Sequence, residues 1–535
     1  MGYRYCNRMD GIPDAQELNP VTPDAVAPQP RWLQIFNRIF CRHLMSMAVI
    51  AAVVVILSGT LQRPQNLVHD PDLWWHLADA RILTTTHHFI RMEPYSFTVE
   101  GQRWVNPEWL GELPYWFGYR IGSLAGLYLV TEIGLLANIF LLYWRGYWRS
   151  GHSGAAFWAT GICFMLMTVN AGPRIIVLAY ILMSLEMAIL EAADRGDTRW
   201  LWFLPPIFCI WVNTHGSWLI GLGLLVLHVL CGLIPVHAGV FNQEAFSAAT
   251  RKTLLWVLAA CVVVLIINPY GWRLVWNPID MMVNQKLNIQ NVQEWQPLNL
   301  ERFAGKVAAG CIAAMVIANG VSGRKWRLFE IAVVFFAWYS AFDHARFLFM
   351  AAVLTAPMLA QDLERDLFLE SDKKTIPAMN LLMVAGSIWV LVHFFPSQAS
   401  FDKGLKEAFP LQTIASIQPQ WRTMNSDGLG GIMDFQGKPT FLDSRFDTFE
   451  HHGVLKDFLD IVYSRAPLQL FDKYKIDHVL LWQTQPLAYW LSHTPGWRLA
   501  RTEGTGDNIF VLFERAAPAA PDQNRSAPVP TVPAH

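Results

Sequence analysis

Ala48-Val-Ile-Ala-Ala-Val-Val-Val-Ile-Leu57 is an unbroken apolar run, and His69-Asp70-Pro71-Asp72-Leu73-Trp74-Trp75-His76 follows shortly after it. The first stretch sets the fold class. Apolar character extends over roughly 44–62, close to the ~20 residues that a helix needs to cross a bilayer. Residues 1–30 are polar and Pro-containing, so the run reads as a retained span rather than a cleavable leader. The second stretch returns abruptly to water, carrying two carboxylates, two imidazoles and two indoles.

The rest of the chain repeats this alternation. Of 535 residues, 53% are hydrophobic and only 16% charged, with a mean hydropathy of +0.26. A soluble domain carries about 25% charged residues. The formal net charge of −1 provides no global field toward nucleic acid. About eleven spans are expected, near 44–62, 121–143, 154–170, 174–192, 200–213, 216–236, 253–268, 303–320, 327–342, 345–360 and 377–395. The segment 200–213 is short and contains Pro205-Pro206, which predicts a kinked or re-entrant piece.

Basic residues orient the set. Arg31, Arg38 and Arg42 precede the first span. Arg145 and Arg149, Arg195 and Arg199, Arg251 and Lys252, Arg324, Lys325 and Arg327, and Lys373 and Lys374 follow the second, fourth, sixth, eighth and tenth. All fall on one side, which the positive-inside rule makes cytoplasmic. The chain then divides into a cytoplasmic tail 1–43, a membrane module 44–396 with a large outer loop 63–120, an extracytoplasmic α/β domain 397–517 and a disordered Ala/Pro-rich tail 518–535. In the outer domain Pro439–Asp443, His478–Trp482 and Asn508–Phe513 read as strands. Val454–Ser464 and Leu468–Tyr474 read as helices.

Seven cysteines are present, none between Arg63 and Arg120 and none after Cys311, so the two long outer segments have no disulfide framework. The outer segments carry the chemistry. Asp70 and Asp72, with Pro71 fixing the backbone between them, can share a divalent cation, or one can act as a base. The same pattern also suits an Asp-rich turn capping an interfacial helix from Leu73. Trp104-Val-Asn-Pro-Glu108-Trp109-Leu110 adds Glu108, either a second acid/base group or a carboxylate favoured by a helix N-terminus. Arg174, His215 and Arg346 stand at outer turns. They suit phosphate recognition or snorkelling toward headgroups. Glu132 and Glu186 lie within spans and read as structural. Gly430-Gly431 and Asp443-Ser-Arg445-Phe-Asp447 read as turns and surface pairs, with acceptor contact as the alternative.

Taken in order, these pieces resemble bacterial polytopic membrane proteins of the GT-C glycosyltransferase superfamily. The matching residues are Asp70-Pro-Asp72-Leu-Trp-Trp-His76, Pro94-Tyr-Ser-Phe97, Trp104 with Glu108-Trp-Leu110, Trp211-Val-Asn-Thr-His-Gly216, Asn268-Pro-Tyr-Gly271, Glu294-Trp295, Arg346, and Gly430-Gly431 through Asp443-Ser-Arg445. The resemblance runs from about 69 to 515. Glu93-Pro-Tyr-Ser96 departs from the pattern, as does Arg174 standing after Pro173 rather than before it.

The resemblance implies an α-helical polytopic membrane protein with GT-C-like architecture in the bacterial cytoplasmic membrane. It implies sugar transfer outside that membrane from a polyprenyl-phosphate-linked donor to a lipid, glycan or protein acceptor. Asp70, Asp72 and Glu108 are the catalytic candidates. Trp75, His76, Arg174, Asn213, His215 and Arg346 are the substrate-binding ones. Some members of the superfamily need a divalent metal (Mg or Mn), which here would fall to Asp70 and Asp72. A non-catalytic membrane scaffold, and a lipid or polysaccharide transporter, are the competing readings. A transporter needs a polar path through the spans, where only Glu132 and Glu186 offer charge.

Overall fold

The structure is a computed structural model that describes residues 50, 68–167, 172–367, 377–506 and 508–516. The tail 1–43, nearly all of the expected span 44–62 and the tail 518–535 lie outside the described residues.

Helix α1 (Pro71–Thr86) lies in the loop 63–120 expected on the outer side. It begins at Pro71 because Asp70 caps it, accepting the Asp72 N–H at 3.0 Å. It stops at His87, which adopts the left-handed conformation (φ 58°). The bundle follows: α2 (Trp109–Ser150), α3 (Ser153–Met167), α4 (Ile176–Asp194), α5 (Leu204–Val212), α6 (Trp218–Cys231), α7 (Ala248–Val264), α8 (Trp272–Asn284), α9 (Lys286–Asn291), α10 (Phe303–Ser322), α11 (Leu328–Asp343), α12 (Leu348–Leu367) and α13 (Pro377–His393).

Four stretches among the described residues are long and apolar enough to cross a bilayer: Trp109–Ser150, Ile176–Asp194, Phe303–Ser322 and Ala345–Leu363. Ser153–Met167 and Trp218–Cys231 are apolar but shorter. Four is fewer than the eleven spans read from the sequence, although helices occur along most of the expected stretches. The expected span 200–213 is a 3-10 turn, Thr198–Phe203, leading into α5. Pro205 and Pro206 sit in its first turn, where a missing N–H costs nothing. Helix α2 breaks at Gly122 and Ser123, whose φ values are −133° and 52°. The span expected from 121 is therefore the part of α2 beyond this break.

The basic residues gather at one end of the bundle. Arg145 and Arg149 pair with Glu191, Arg149 and Arg324 with Glu330, Arg324 also with Asp362, and Arg327 with Asp194. Glu108, at the start of α2, lies at the opposite end of the helix that carries Arg145 and Arg149.

The C-terminal part contains α14 (Gln398–Ala408), α15 (Leu411–Ser416), β1 (Thr423–Asn425), α16 (Asp427–Phe435), α17 (Phe446–His451), α18 (Val454–Val462), α19 (Pro467–Tyr474), β2 (His478–Trp482), α20 (Pro486–Ser492), β3 (Trp497–Thr505) and β4 (Asn508–Arg515). The sheet order is β1-β2-β4-β3. The β1–β2 pair is parallel, and the other pairs are antiparallel. Two of the three expected strands are present. Pro439–Asp443 is not one. It meets Ser96 in a single bridge at Thr440, and the Phe441 N–H bonds the Asn425 side chain instead of a neighbouring strand.

This sheet unit is not separate from the first outer loop. Val68, Leu73, Trp74 and Leu77 share one buried cluster with Phe401, Ile414, Leu429, Met433 and Leu480. Gly430 and Gly431 belong to helix α16, correcting the turn expected there, and both are buried. A methyl on Gly431 would lie 2.5 Å from the Pro71 carbonyl oxygen. The glycine thus lets α16 seat directly on the N-terminus of α1, behind the Asp pair.

Candidate active site

The turns expected on the outer side converge. Asp72, His76, Glu108, Arg174, His215 and Arg346 line one cavity of about 80 Å³, with Glu294 as a further wall. All but His76, which lies within α1, come from the end of an element: Asp72 from the first turn of α1, Glu108 from the N-cap of α2, Arg174 from the turn before α4, His215 from the turn between α5 and α6, and Arg346 from the 3-10 turn before α12. Glu108 makes no side-chain capping bond, which leaves its carboxyl for the cavity.

Arg174 is the hub. Its guanidinium donates to Asp70 and to Glu294. Asp70 is therefore held on both oxygens, by Arg174 and by the Asp72 N–H. Asp72 faces the cavity, and its Oδ1 accepts the Trp75 indole N–H at 3.2 Å. That indole also lies 3.1 Å from Ser444 Oγ, so the C-terminal unit reaches the Asp motif. Glu108 sits between two imidazoles, 3.4 Å from His76 Nε2 and 3.4 Å from His215 Nε2. His215 Nδ1 accepts the Ser217 backbone N–H at 3.0 Å, which places the proton of the neutral ring on Nε2, toward Glu108. His76 Nδ1 meets Glu112 at 3.0 Å. Arg346 stacks on Trp295 with 4.2 Å to the ring centroid.

Burial governs the protonation states. It raises Asp72 to about 6, helped by the Asp70 charge and opposed by Ser444 and Arg174. It raises Glu108 to about 8, helped by Asp72 and opposed by Arg346. Burial and the Arg346 charge lower His215 to about 3. His76 is held well below the usual imidazole range by burial, then by His215, Arg445 and Arg174. Near neutral pH the cavity therefore presents an ionised Asp72, a protonated Glu108, two neutral histidines and two guanidinium groups.

Three candidates, Asp70, Trp75 and Asn213, stand outside the cavity lining. The Asn213 side chain accepts the Trp109 N–H at 2.8 Å and donates to the Cys209 and Ile267 carbonyls. Trp75 supports Asp72 and packs on His76, with ring centroids 3.6 Å apart. The expected metal pair is differently engaged. Asp70 has both oxygens engaged, and no group of three or more His, Cys, Asp or Glu able to hold a metal occurs among the described residues.

The structure adds a second polar centre behind the first. Arg445 is buried against Asp443 and Glu93, donating to each, and its guanidinium faces the rings of Trp104 (4.7 Å) and Trp75 (5.8 Å). The surface pairs expected from Asp443-Ser-Arg445 are thus a buried clamp. Glu93 also accepts the N–H groups of Tyr95 and Ser96 at 3.0 Å each, so its carboxylate reaches Ser96 across the intervening Tyr95.

No family model matches the chain, and no curated protein matches it in sequence. Solved structures do resemble it. One is the archaeal oligosaccharyltransferase AglB from Archaeoglobus fulgidus in complex with an inhibitory peptide and a dolichol-phosphate. Its TM-score is 0.51 at 12% identity, over 83% of this chain and 70% of that one. Another is the same organism's oligosaccharyltransferase tethered to an acceptor peptide containing the NVT sequon, with TM-score 0.50 and 14% identity over 84% and 69%. At 12–14% identity the likeness is one of fold. ArnT from Cupriavidus metallidurans bound to undecaprenyl phosphate also aligns, with TM-score 0.48 and 14% identity over 88% and 99%.

Proposed function

We propose that this protein is a membrane glycosyltransferase that moves a sugar from a polyprenyl-phosphate-linked donor to an acceptor on the extracytoplasmic face. One observation carries the reading. An apolar pocket of about 170 Å³ adjoins the polar cavity, and the two share Glu108, Ile176, His215 and Arg346 as walls. Tyr180, Leu219, Met281 and Phe347 line the apolar side. A cationic chamber opening onto an apolar slot suits a molecule with a phosphate head and a hydrocarbon tail. The dolichol-phosphate bound to the archaeal relative is such a molecule.

Asp72 serves as the base, because Asp70 is committed to Arg174 and to the helix cap. The acceptor hydroxyl gives its proton to Asp72, and its oxygen bonds the anomeric carbon. The bond from that carbon to the phosphate oxygen breaks, and the electron pair leaves with the phosphate. Arg174 and Arg346 neutralise the charge that develops there. Protonated Glu108 keeps a second negative charge away from the phosphate.

The test is turnover by the full-length protein in nanodiscs with a polyprenyl-phosphate sugar and an acceptor extract. Asp72→Asn is expected to lower transfer by about 10²–10⁴-fold while polyprenyl phosphate still binds. Undiminished transfer by a normally folded Asp72→Asn protein would sink the proposal.

A further inference from the structure

A second cavity of about 280 Å³ lies between α8, the Arg103–Val105 segment of the first loop and α17. Helix α8 presents Trp272, Trp276 and Asp280 to it at four-residue spacing, hence on one face. Trp272 and Trp276 are 66% and 50% exposed, whereas Trp104 is buried and forms the floor. Asp447 and His452 come from the other wall.

The walls are fastened to each other. His451 Nε2 bonds Asp280 at 2.7 Å, and the Glu450 carboxylate accepts the Leu287 and Asn288 N–H groups at 2.9 and 2.7 Å. The cavity also borders the site. Its Asn277 is shared with the apolar pocket, and Trp104 meets Trp75, the partner of Asp72, edge to face at 6.0 Å. The Asp447 charge helps keep the proton on Glu108. Arg103 and Arg273 make no ion pair among the described residues, and the Asn277 amide has no hydrogen-bond partner among them.

We infer that this cleft binds the acceptor and that the acceptor group it takes is a saccharide. A pyranose ring has an apolar C–H face and a girdle of hydroxyls. Exposed indole faces suit the first. Carboxylate, amide and guanidinium groups suit the second, accepting from and donating to hydroxyls at fixed angles. A bilayer surface also attracts tryptophan, but Asp280 and Asp447 on the same cavity walls would then face the headgroup boundary. The inference rests on the glycosyl-transfer reading for the word acceptor, and binding alone can be tested without it.

The experiment uses the full-length protein in nanodiscs with a panel of soluble neutral and uronic-acid-containing oligosaccharides, read by saturation-transfer NMR. At least one oligosaccharide is expected to bind. Trp272→Ala/Trp276→Ala is expected to weaken it at least tenfold and to leave polyprenyl phosphate binding unchanged. Absence of binding across the panel, or binding that the double variant does not alter, overturns the inference. A fluorophore on Trp276→Cys that brominated lipid quenches, with no response to saccharide, also overturns it and makes these tryptophans interface anchors. Failure of the wild type to bind polyprenyl phosphate counts against the donor reading instead and leaves the saccharide result to stand separately.

Discussion

Arg174 Nε donates to Asp70 Oδ2 while the other oxygen of that carboxylate accepts the Asp72 N–H. The two aspartates of one motif therefore have different work. Asp70→Ala removes both the helix cap and the partner of a half-buried guanidinium. Loss of a cap alone costs about 0.5–2 kcal/mol, so a lower unfolding temperature is expected together with low activity. Asp72→Asn keeps the cap and the Trp75 bond. It is expected to unfold normally and to lose transfer by about 10²–10⁴-fold, the usual contribution of a general base. Thermal unfolding in detergent, run beside turnover, separates the two. Equal destabilisation by both variants would contradict this division.

The pH profile follows from the same cavity. Asp72 works as a base only when ionised, so activity is expected to fall as pH drops through about 6. Glu108 ionises as pH rises through about 8, placing a second negative charge beside the phosphate, so activity falls again there. The expected kcat/KM profile is a bell between those values. Glu108→Gln should abolish the upper limb and retain the lower one. The stability effect has the opposite sign for Asp72. Its folded-state pKa is raised, so the folded protein binds the extra proton. Its contribution to stability is greatest below the ordinary carboxylate range and is lost as pH rises through about 6. A lower limb that stays in place in Asp72→Asn would show that another group titrates.

Sequence patterns revealed the cavity better than what supports it. Asp72, Glu108, Arg174, His215 and Arg346 were legible because each is a polar residue interrupting apolar surroundings at a turn, where a bundle brings its loops to one end. Glu294 was visible as part of a motif but without a role, since its partner Arg174 is far off in the chain. Glu93 and Arg445 each stood in a noted motif, but nothing in the sequence joined them. The pair joins the first loop to the C-terminal unit, and a single carboxylate so distant from its arginine leaves no periodicity to read. Strand β3 was missed because most of its residues are exposed, removing the apolar run by which β2 and β4 were found. Pro439–Asp443 was misread for the opposite reason. Phe441 and Leu442 are buried like strand residues, but their backbone bonds a side chain and the first loop.

Arg445 is expected to be the most sensitive position for holding the loop against the C-terminal unit. Arg445→Met leaves Glu93 and Asp443 buried without their cation, a change that costs about 3–5 kcal/mol when a buried pair is broken from one side. Asp79 nearby is already raised to about 7 by burial, with Arg445 opposing the rise. Without Arg445 the cluster takes up protons more readily in the folded state. The loss should therefore be larger at pH 8 than at pH 5.5. Limited proteolysis at the two pH values reads this directly, as earlier release of the segment after α13 at the higher pH. A pH-independent loss would assign the residue a packing role alone.

Gly431 tests whether the seating of α16 sets the position of the Asp motif. Its added methyl would meet the Pro71 carbonyl oxygen at 2.5 Å, with Trp74 Cβ and the Trp75 nitrogen at 3.4 Å. The obstacle is backbone, which cannot rotate away as a side chain can, so α1 and α16 must separate. Overpacking of this kind costs about 1–3 kcal/mol. Gly431→Ala is therefore expected to lower the unfolding temperature modestly. It should reduce kcat more than it weakens polyprenyl phosphate binding, because the displaced element carries Asp72, whereas Arg346 and His215 stand on turns elsewhere in the bundle. A reactive cysteine at Ser444, which now lies 3.1 Å from the Trp75 indole, would report the separation as faster labelling in Gly431→Ala. Unchanged labelling and unchanged turnover would mean that α1 holds its place without the close approach of α16.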